Sequence, residues 1–181
     1  IASHVEYTIS GGEPLRQPEF LLELLKACGE NGIHRTVDTS GFAKTEVLLE
    51  VAKHTDHFLY DLKMMDSEKH RKFTNVPNEL ILSNLKLLAK TGASINIRIP
   101  YIKGVNSDDE NMEETAAFIA SLAGERKIVN LLPYHNIMTK KYQKLGGNYK
   151  RDELSEPTAE DKKRAIEIFE KFDIKVIIGG S

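Results

Sequence analysis

Val5-Glu6-Tyr7-Thr8-Ile9-Ser10-Gly11-Gly12-Glu13-Pro14 runs from a β-type segment straight into a glycine pair, a carboxylate and a proline. The apolar alternation ends where backbone-permissive polar residues begin, so the stretch reads as a strand whose carboxyl end carries a turn. Two adjacent glycines tolerate positive φ and let a ligand approach closer than any Cβ would allow. Glu13 and the freed backbone groups can meet an ammonium group. A plain strand-to-helix connector is the competing reading, because Glu and Pro also suit a helix start. The rest of the chain has to decide between them.

Outward from this turn, a short apolar run, a polar end and an amphipathic helix recur along the chain. The spacing predicts strands over 5–9, 34–38, 57–62, 94–99, 127–132 and 174–178. Helices are predicted over 18–31, 78–91, 108–123 and 158–172. In the first, Phe20, Leu21, Leu24, Leu25 and Cys28 recur at helical spacing before Gly32. Leu82, Leu85 and Leu88 repeat the pattern before Gly92. Ser107 or Asp108 caps the third helix, and Thr158 with Asp161 caps the fourth. Strands alternating with helices of this length imply an α/β protein with a parallel sheet. Residues 1–181 read as one partial βα-barrel domain.

The 181 residues carry 25 Lys plus Arg against 27 Asp plus Glu, so no charge excess points to nucleic acid or a membrane surface. No apolar run reaches membrane-spanning length and no secretory signal opens the chain, so a cytoplasmic location is expected. One cysteine excludes an internal disulfide and any Cys-x-x-Cys metal site. Cys28 falls on the apolar stripe of its helix and reads as a packed thiol. The chain opens on Ile1 and reaches a strand almost at once. We therefore expect a parent protein with one more βα unit upstream, which would cover the sheet edge at 5–9.

In parallel βα folds, ligands gather at the carboxyl edge of the strands. The residues predicted there are Gly11, Gly12 and Glu13, then Asp38, Thr39, Ser40 and Gly41, then Asp61 and Lys63, and finally Arg98, Tyr134 and His135. Asp38-Thr39-Ser40-Gly41 also reads as an Asx-type turn closed by glycine, and Asp61 with Lys63 as a surface pair. His135 also reads as an ordinary loop histidine. Arg98 sits inside the apolar run Ile95-Asn96-Ile97-Arg98-Ile99-Pro100, where a solvated guanidinium is awkward, which favours a purpose inside the barrel. Together these residues offer oxygen ligands, cations and backbone amides around one mouth, as a zwitterionic small molecule requires. No Gly-x-Gly-x-x-Gly or Walker loop and no Ser or Cys nucleophile motif competes.

Gly11-Gly12-Glu13-Pro14, Asp38-Thr39-Ser40-Gly41-Phe42, Tyr60-Asp61-Leu62-Lys63, Ile97-Arg98-Ile99-Pro100 and Leu131-Leu132-Pro133-Tyr134-His135 occur in an order that resembles the radical S-adenosylmethionine proteins. The resemblance is closest to the glycyl-radical-enzyme activating enzymes, the family of pyruvate formate-lyase activating enzyme, and extends from Val5 to Gly180. It implies a partial parallel βα barrel without its first βα unit. It implies S-adenosylmethionine as cofactor, with Gly11, Gly12 and Glu13 receiving its amino group. Lys63, Arg98 and His135 would contact its carboxylate, ribose or adenine. Asp38, Thr39 and Asp61 would line a monovalent-cation site.

In that family a four-iron four-sulfur cluster on a Cys-x-x-x-Cys-x-x-Cys loop cleaves the cofactor, and the resulting radical takes hydrogen from a glycine of a partner enzyme. The implied partners are a glycyl radical enzyme such as pyruvate formate-lyase and a flavodoxin or ferredoxin electron donor. The cysteine loop is absent from this sequence and Cys28 cannot replace it, so the chain alone is expected to be inactive and free of cluster. Segment 136–157, with Lys140, Lys141, Lys144, Lys150 and Arg151 around Tyr142 and Tyr149, would hang near the mouth where the partner's glycine enters. The alternative is a non-catalytic truncated paralogue that binds a small molecule or a partner. A lyase using Lys63 as an amine nucleophile leaves the glycine turn and Pro133-Tyr134-His135 unexplained.

Overall fold

Six parallel strands lie side by side in the order in which they occur in the chain. They are β1 (Glu6–Ile9), β2 (His34–Thr39), β3 (His57–Asp61), β4 (Ile95–Tyr101), β5 (Ile128–Pro133) and β6 (Lys175–Ile178). The computed structural model describes residues 5–124, 128–135 and 154–180. Lys140, Lys141, Tyr142, Lys144, Tyr149, Lys150 and Arg151 lie outside the described residues. The predicted strands are all present, with bounds differing by one or two residues.

A sequential parallel order sends successive crossovers to one side, so the sheet curls as a partial barrel. Strand alternation then gives its two faces opposite chemistry. Val37, Phe58, Tyr60, Ile97, Ile99, Val129 and Leu131 point outward to the helices and are buried in the apolar core. The alternate positions Glu6, Thr36, Asp38, Asp61, Asn96, Arg98 and Asn130 make the other face polar. Thr36 Oγ1 donates to Glu6 there at 2.9 Å, while Arg98 spans toward Asp38 and Asp61. The register sets Arg98 opposite Asp61 on one side and Asn130 on the other.

The four predicted helices are α1 (Pro18–Glu30), α4 (Glu79–Lys90), α5 (Asp109–Ala120) and α6 (Ala159–Glu170). Asp108, rather than Ser107, caps α5 by accepting from Asn111 N at 3.0 Å, and Thr158 with Asp161 closes a reciprocal capping box on α6. Two helices go beyond that prediction: α2 (Thr45–Ala52) and α3 (Ser67–Thr74). The first is two turns long. The second is polar almost throughout, so apolar periodicity could not reveal it; its cap, Asp66 accepting from Lys69 N at 2.7 Å, carries the signal. Cys28 is buried against the core on α1, as predicted for a packed thiol.

The loop after β2 is set by a lock of three residues. Asn84 of α4 donates to the carbonyls of Gly41 and Ala43, each at 2.9 Å, and accepts from Thr45 Oγ1 at 2.8 Å. Tyr60, fully buried, donates its hydroxyl to Ile81 O at 2.8 Å. Burial pushes the Tyr60 phenol far up, keeping it neutral. Gly41 holds φ of +72°, and a Cβ there would stand 1.7 Å from the Tyr60 hydroxyl oxygen. Only glycine satisfies both the backbone sign and the space.

Candidate functional site

The carboxyl ends of β1, β2, β3 and β4 bring eight of the nine predicted site residues into one neighbourhood, and His135 alone follows β5. Gly11 and Gly12 adopt φ of +113° and +62°, and a Cβ built on either meets nothing within 4 Å. The turn thus presents open space in front of bare backbone, unlike Gly41, whose space is taken by Tyr60.

Glu13 turns its carboxylate along the strand ends instead of into that space. Oε1 accepts from Thr39 Oγ1 at 2.6 Å and from Leu15 N at 3.2 Å. Oε2 accepts from Ser40 N at 2.9 Å and Ser40 Oγ at 2.5 Å. A carboxylate has about four lone-pair sites, so these four donors fill it. Thr39 Oγ1 in turn accepts from Gly41 N at 2.9 Å, which hands the order on to the β2–α2 loop.

On the polar face, Arg98 joins two carboxylates. Its Nε and Nη2 donate to Asp61 Oδ1 at 3.0 and 2.8 Å, and Nη2 also pairs with Asp38 Oδ1. Asp38 Oδ2 accepts from Ser10 Oγ at 3.0 Å, and Lys63 Nζ reaches Asp61 Oδ2 at 3.4 Å. The Arg98 side chain is 13% exposed, Asp38 20% and Asp61 23%, so these charges interact in a partly desolvated setting. Two carboxylates and two cations balance there.

His135 is exposed just beyond β5, held in place through Tyr134, whose N donates to Tyr101 O at 2.9 Å. Among the described residues, no group of three or more His, Cys, Asp or Glu side chains is placed to hold a metal ion. Between Asp38 and Asp61 the positive charge is the Arg98 guanidinium. Ser10 and Ser40 carry hydrogen bonds that residue types alone did not rank, since their role depends on which strand end they face. His70 of α3, on the helix that periodicity did not predict, was missed altogether.

A parallel partial barrel with a glycine turn after its first described strand and a charge-balanced carboxyl edge defines a class, and the chain belongs to the Radical SAM superfamily, whose family model matches residues 3–119. It is 45% identical over 176 residues to the trans-4-hydroxy-L-proline dehydratase activating enzyme of Clostridioides difficile, covering 96% of this chain and 58% of that protein. It is 36% identical over 173 residues to the choline trimethylamine-lyase activating enzyme of Oleidesulfovibrio alaskensis, covering 94% of this chain and 56% of that one. A crystal structure of a domain of pyruvate-formate lyase-activating enzyme from Bacteroides vulgatus aligns with a TM-score of 0.83 at 42% identity, covering 97% of this chain and 99% of that domain. The chain therefore spans a little over half the length of these curated relatives. The resemblance read from the five motifs is borne out. No helix among the described residues is long and apolar enough to cross a membrane.

Proposed function

We propose that this chain is the cofactor-binding partial barrel of an activating enzyme that reductively cleaves S-adenosylmethionine at an iron-sulfur cluster and installs a glycyl radical on a partner such as pyruvate formate-lyase. It would work in the cytoplasm with a flavodoxin- or ferredoxin-type electron donor. The observation that carries this reading is the pairing of an open glycine turn with a balanced set of charges at the same sheet edge.

The turn fits the cofactor's amino acid end. Gly11 and Gly12 offer backbone to its ammonium in space that no Cβ enters, and Glu13, its oxygens already filled, holds that backbone still. Lys63, Arg98 and His135 supply donors for the carboxylate, ribose and adenine side. Asp38 and Asp61, with the backbone of Thr39, form a monovalent-cation site when Arg98 turns from them toward the cofactor's carboxylate. Bound there, the cofactor supplies the bond whose one-electron cleavage starts the reaction. The chain's own thiol does not fit a cluster: Cys28 is buried near the end of α1, which returns toward the amino edge of the sheet, away from the mouth. These 181 residues hold one cysteine, so on this reading the cluster ligands would have to come from a longer parent protein.

Calorimetric titration of this chain with S-adenosylmethionine tests the reading. Binding weaker than about −6 kcal/mol is expected, because metal coordination is missing. Gly12→Val should abolish it while the protein stays folded. Unchanged binding by Gly12→Val would reduce the turn to a connector.

A further inference from the structure

The pairing of β3 with β4 stops at a proline. Leu62 N donates to Arg98 O at 2.9 Å, and in a parallel ladder the next bond would run from the N–H of residue 100 to Leu62 O. That residue is Pro100, which has no N–H, so the chain leaves the sheet with Lys63. One buried side chain bridges the gap. Asn106, 2% exposed in the turn between β4 and α5, donates through Nδ2 to Lys63 O at 2.8 Å and to Pro100 O at 2.6 Å. Its Oδ1 accepts from Ile102 N at 2.9 Å. Two carbonyls that can only accept and one N–H that can only donate settle which end of the amide is nitrogen. Asn106 O in turn accepts from Asn111 Nδ2 at 2.9 Å, which ties the turn to α5.

The Lys63 side chain is held much less firmly than its backbone. Its Nζ stands 3.4 Å from Asp61 Oδ2, near the long limit of a hydrogen bond, and the side chain is 31% exposed. Lys63 also lines two cavities, of about 210 and 150 Å³, the first shared with Glu13 and Ser40 and the second with Phe73 and Ile102. A flexible four-carbon stem beside open space has several rotamers within reach, so the place of the ammonium is decided by where the backbone starts it. From these contacts we propose that Asn106 is a positioning residue for Lys63: it bolts the Lys63 backbone to β4, the strand that carries Arg98, and so keeps the two cations in register for the anionic end of the cofactor. The cofactor part of this rests on the proposed function, whereas the hold on Lys63 does not.

Limited acetylation of the intact chain by acetic anhydride, followed by mass spectrometry, reads the Lys63 amine against Lys26 and Lys163 as internal standards. Asn106→Ser should raise Lys63 labelling severalfold and leave the standards unchanged. Asn78→Ser is the control, because Asn78 is equally buried and donates to Met64 O and Met65 O at 2.9 and 2.6 Å, just beyond Lys63 in the same loop. No rise in Asn106→Ser, or an equal rise in Asn78→Ser, overturns the proposal. Should Asn106→Ser fail to fold, Asn106→Gln keeps an amide but moves it by one methylene, and should raise Lys63 labelling in the same way. NMR titration with S-adenosylmethionine supplies a readout that a packing defect would not give. Asn106→Ser and Lys63→Met should each weaken binding about tenfold, and the double variant no more than Lys63→Met alone. Additive losses overturn the proposal. A wild-type chain that ignores the cofactor, with Lys63 labelling raised in Asn106→Ser alone, sinks the proposed function and upholds Asn106 as the anchor of Lys63.

Discussion

The Glu13 carboxylate accepts the Thr39 hydroxyl at 2.6 Å, joining the end of β1 to the end of β2. Since its other oxygen takes both donors of Ser40, Glu13 acts as a clamp that gives the Gly11–Gly12 backbone a fixed address. Glu13→Gln replaces one oxygen with an amide that can only donate, and so sets N–H against the Ser40 or Thr39 donors. We expect a loss of about 1–3 kcal/mol in stability and at least a tenfold loss of cofactor affinity. Urea unfolding and calorimetric titration check this. A Gln variant that unfolds and binds like the wild type would show that the clamp is dispensable.

Arg98 holds Asp38 and Asp61 together, so its removal leaves two carboxylates facing one another. Arg98→Met should cost about 2 kcal/mol, below the 3–5 kcal/mol typical of a fully buried pair because all three side chains retain some solvent contact. If the carboxylates also form a cation site, potassium or sodium chloride should recover more of the lost stability than choline chloride at equal ionic strength. Melting temperatures in the three salts read this out. Identical curves would limit Asp38 and Asp61 to being ion-pair partners of Arg98.

Gly12 and Gly41 share a positive φ but for different reasons, and their variants should separate. At Gly41 a methyl collides with the buried Tyr60 hydroxyl, so Gly41→Ala should destabilise by roughly 3 kcal/mol through strain and overpacking together. At Gly12 the protein leaves room, so Gly12→Val should cost only the backbone strain, about 1–2 kcal/mol, while blocking the cofactor. On the proposed function, 5′-deoxyadenosine formed with dithionite per folded protein that carries a cluster should vanish for Gly12→Val. Cys28→Ser should keep turnover and lose about 1–3 kcal/mol by burying a hydroxyl. Turnover by Gly12→Val at the wild-type rate would move the site away from this turn.

The strand order and polar edge were legible because two periodicities interleave: Ile97 and Ile99 face the helices while Asn96 and Arg98 face the barrel. The motif residues could be collected because chain topology alone sends every strand's carboxyl end to one rim. The direction of Glu13 was not legible. Whether a carboxylate faces a ligand or the neighbouring strand depends on where Ser40 N points, which is a tertiary fact. Helix α3 stayed hidden for a related reason, since Ser67-Glu68-Lys69-His70-Arg71-Lys72-Phe73-Thr74 presents no apolar stripe and buries only His70. Pairing of the Arg98 guanidinium with two acids was equally invisible, although an arginine in an apolar run was the clue that it had partners.

Far from the mouth, Arg35 and Asp56 tie β2 to the turn before β3, and this pair sets an acid limit on the fold. Arg35 Nε and Nη2 each reach the Asp56 carboxylate at 2.8 Å, and Arg35 N donates to it at the same distance. The guanidinium lies across Gly29, where a Cβ would come within 2.5 Å of its nitrogen. Hydrogen bonding from Arg35 lowers the Asp56 pKa from 3.8 to about 2. A depressed carboxylate pKa contributes stability that is complete above the unfolded value near 3.8 and lost as pH falls toward 2. This lowering corresponds to about 2.5 kcal/mol at full value, and with Asp56 a third exposed we expect about 1 kcal/mol. Asp56→Asn should therefore be less stable than the wild type by about 1 kcal/mol at pH 7 from this charge alone, with the gap closing between pH 4 and pH 2. Chemical denaturation across that range measures it. A gap that stays constant down to pH 2 would mean that the pair holds β2 by shape and hydrogen bonding, without a contribution from its charge.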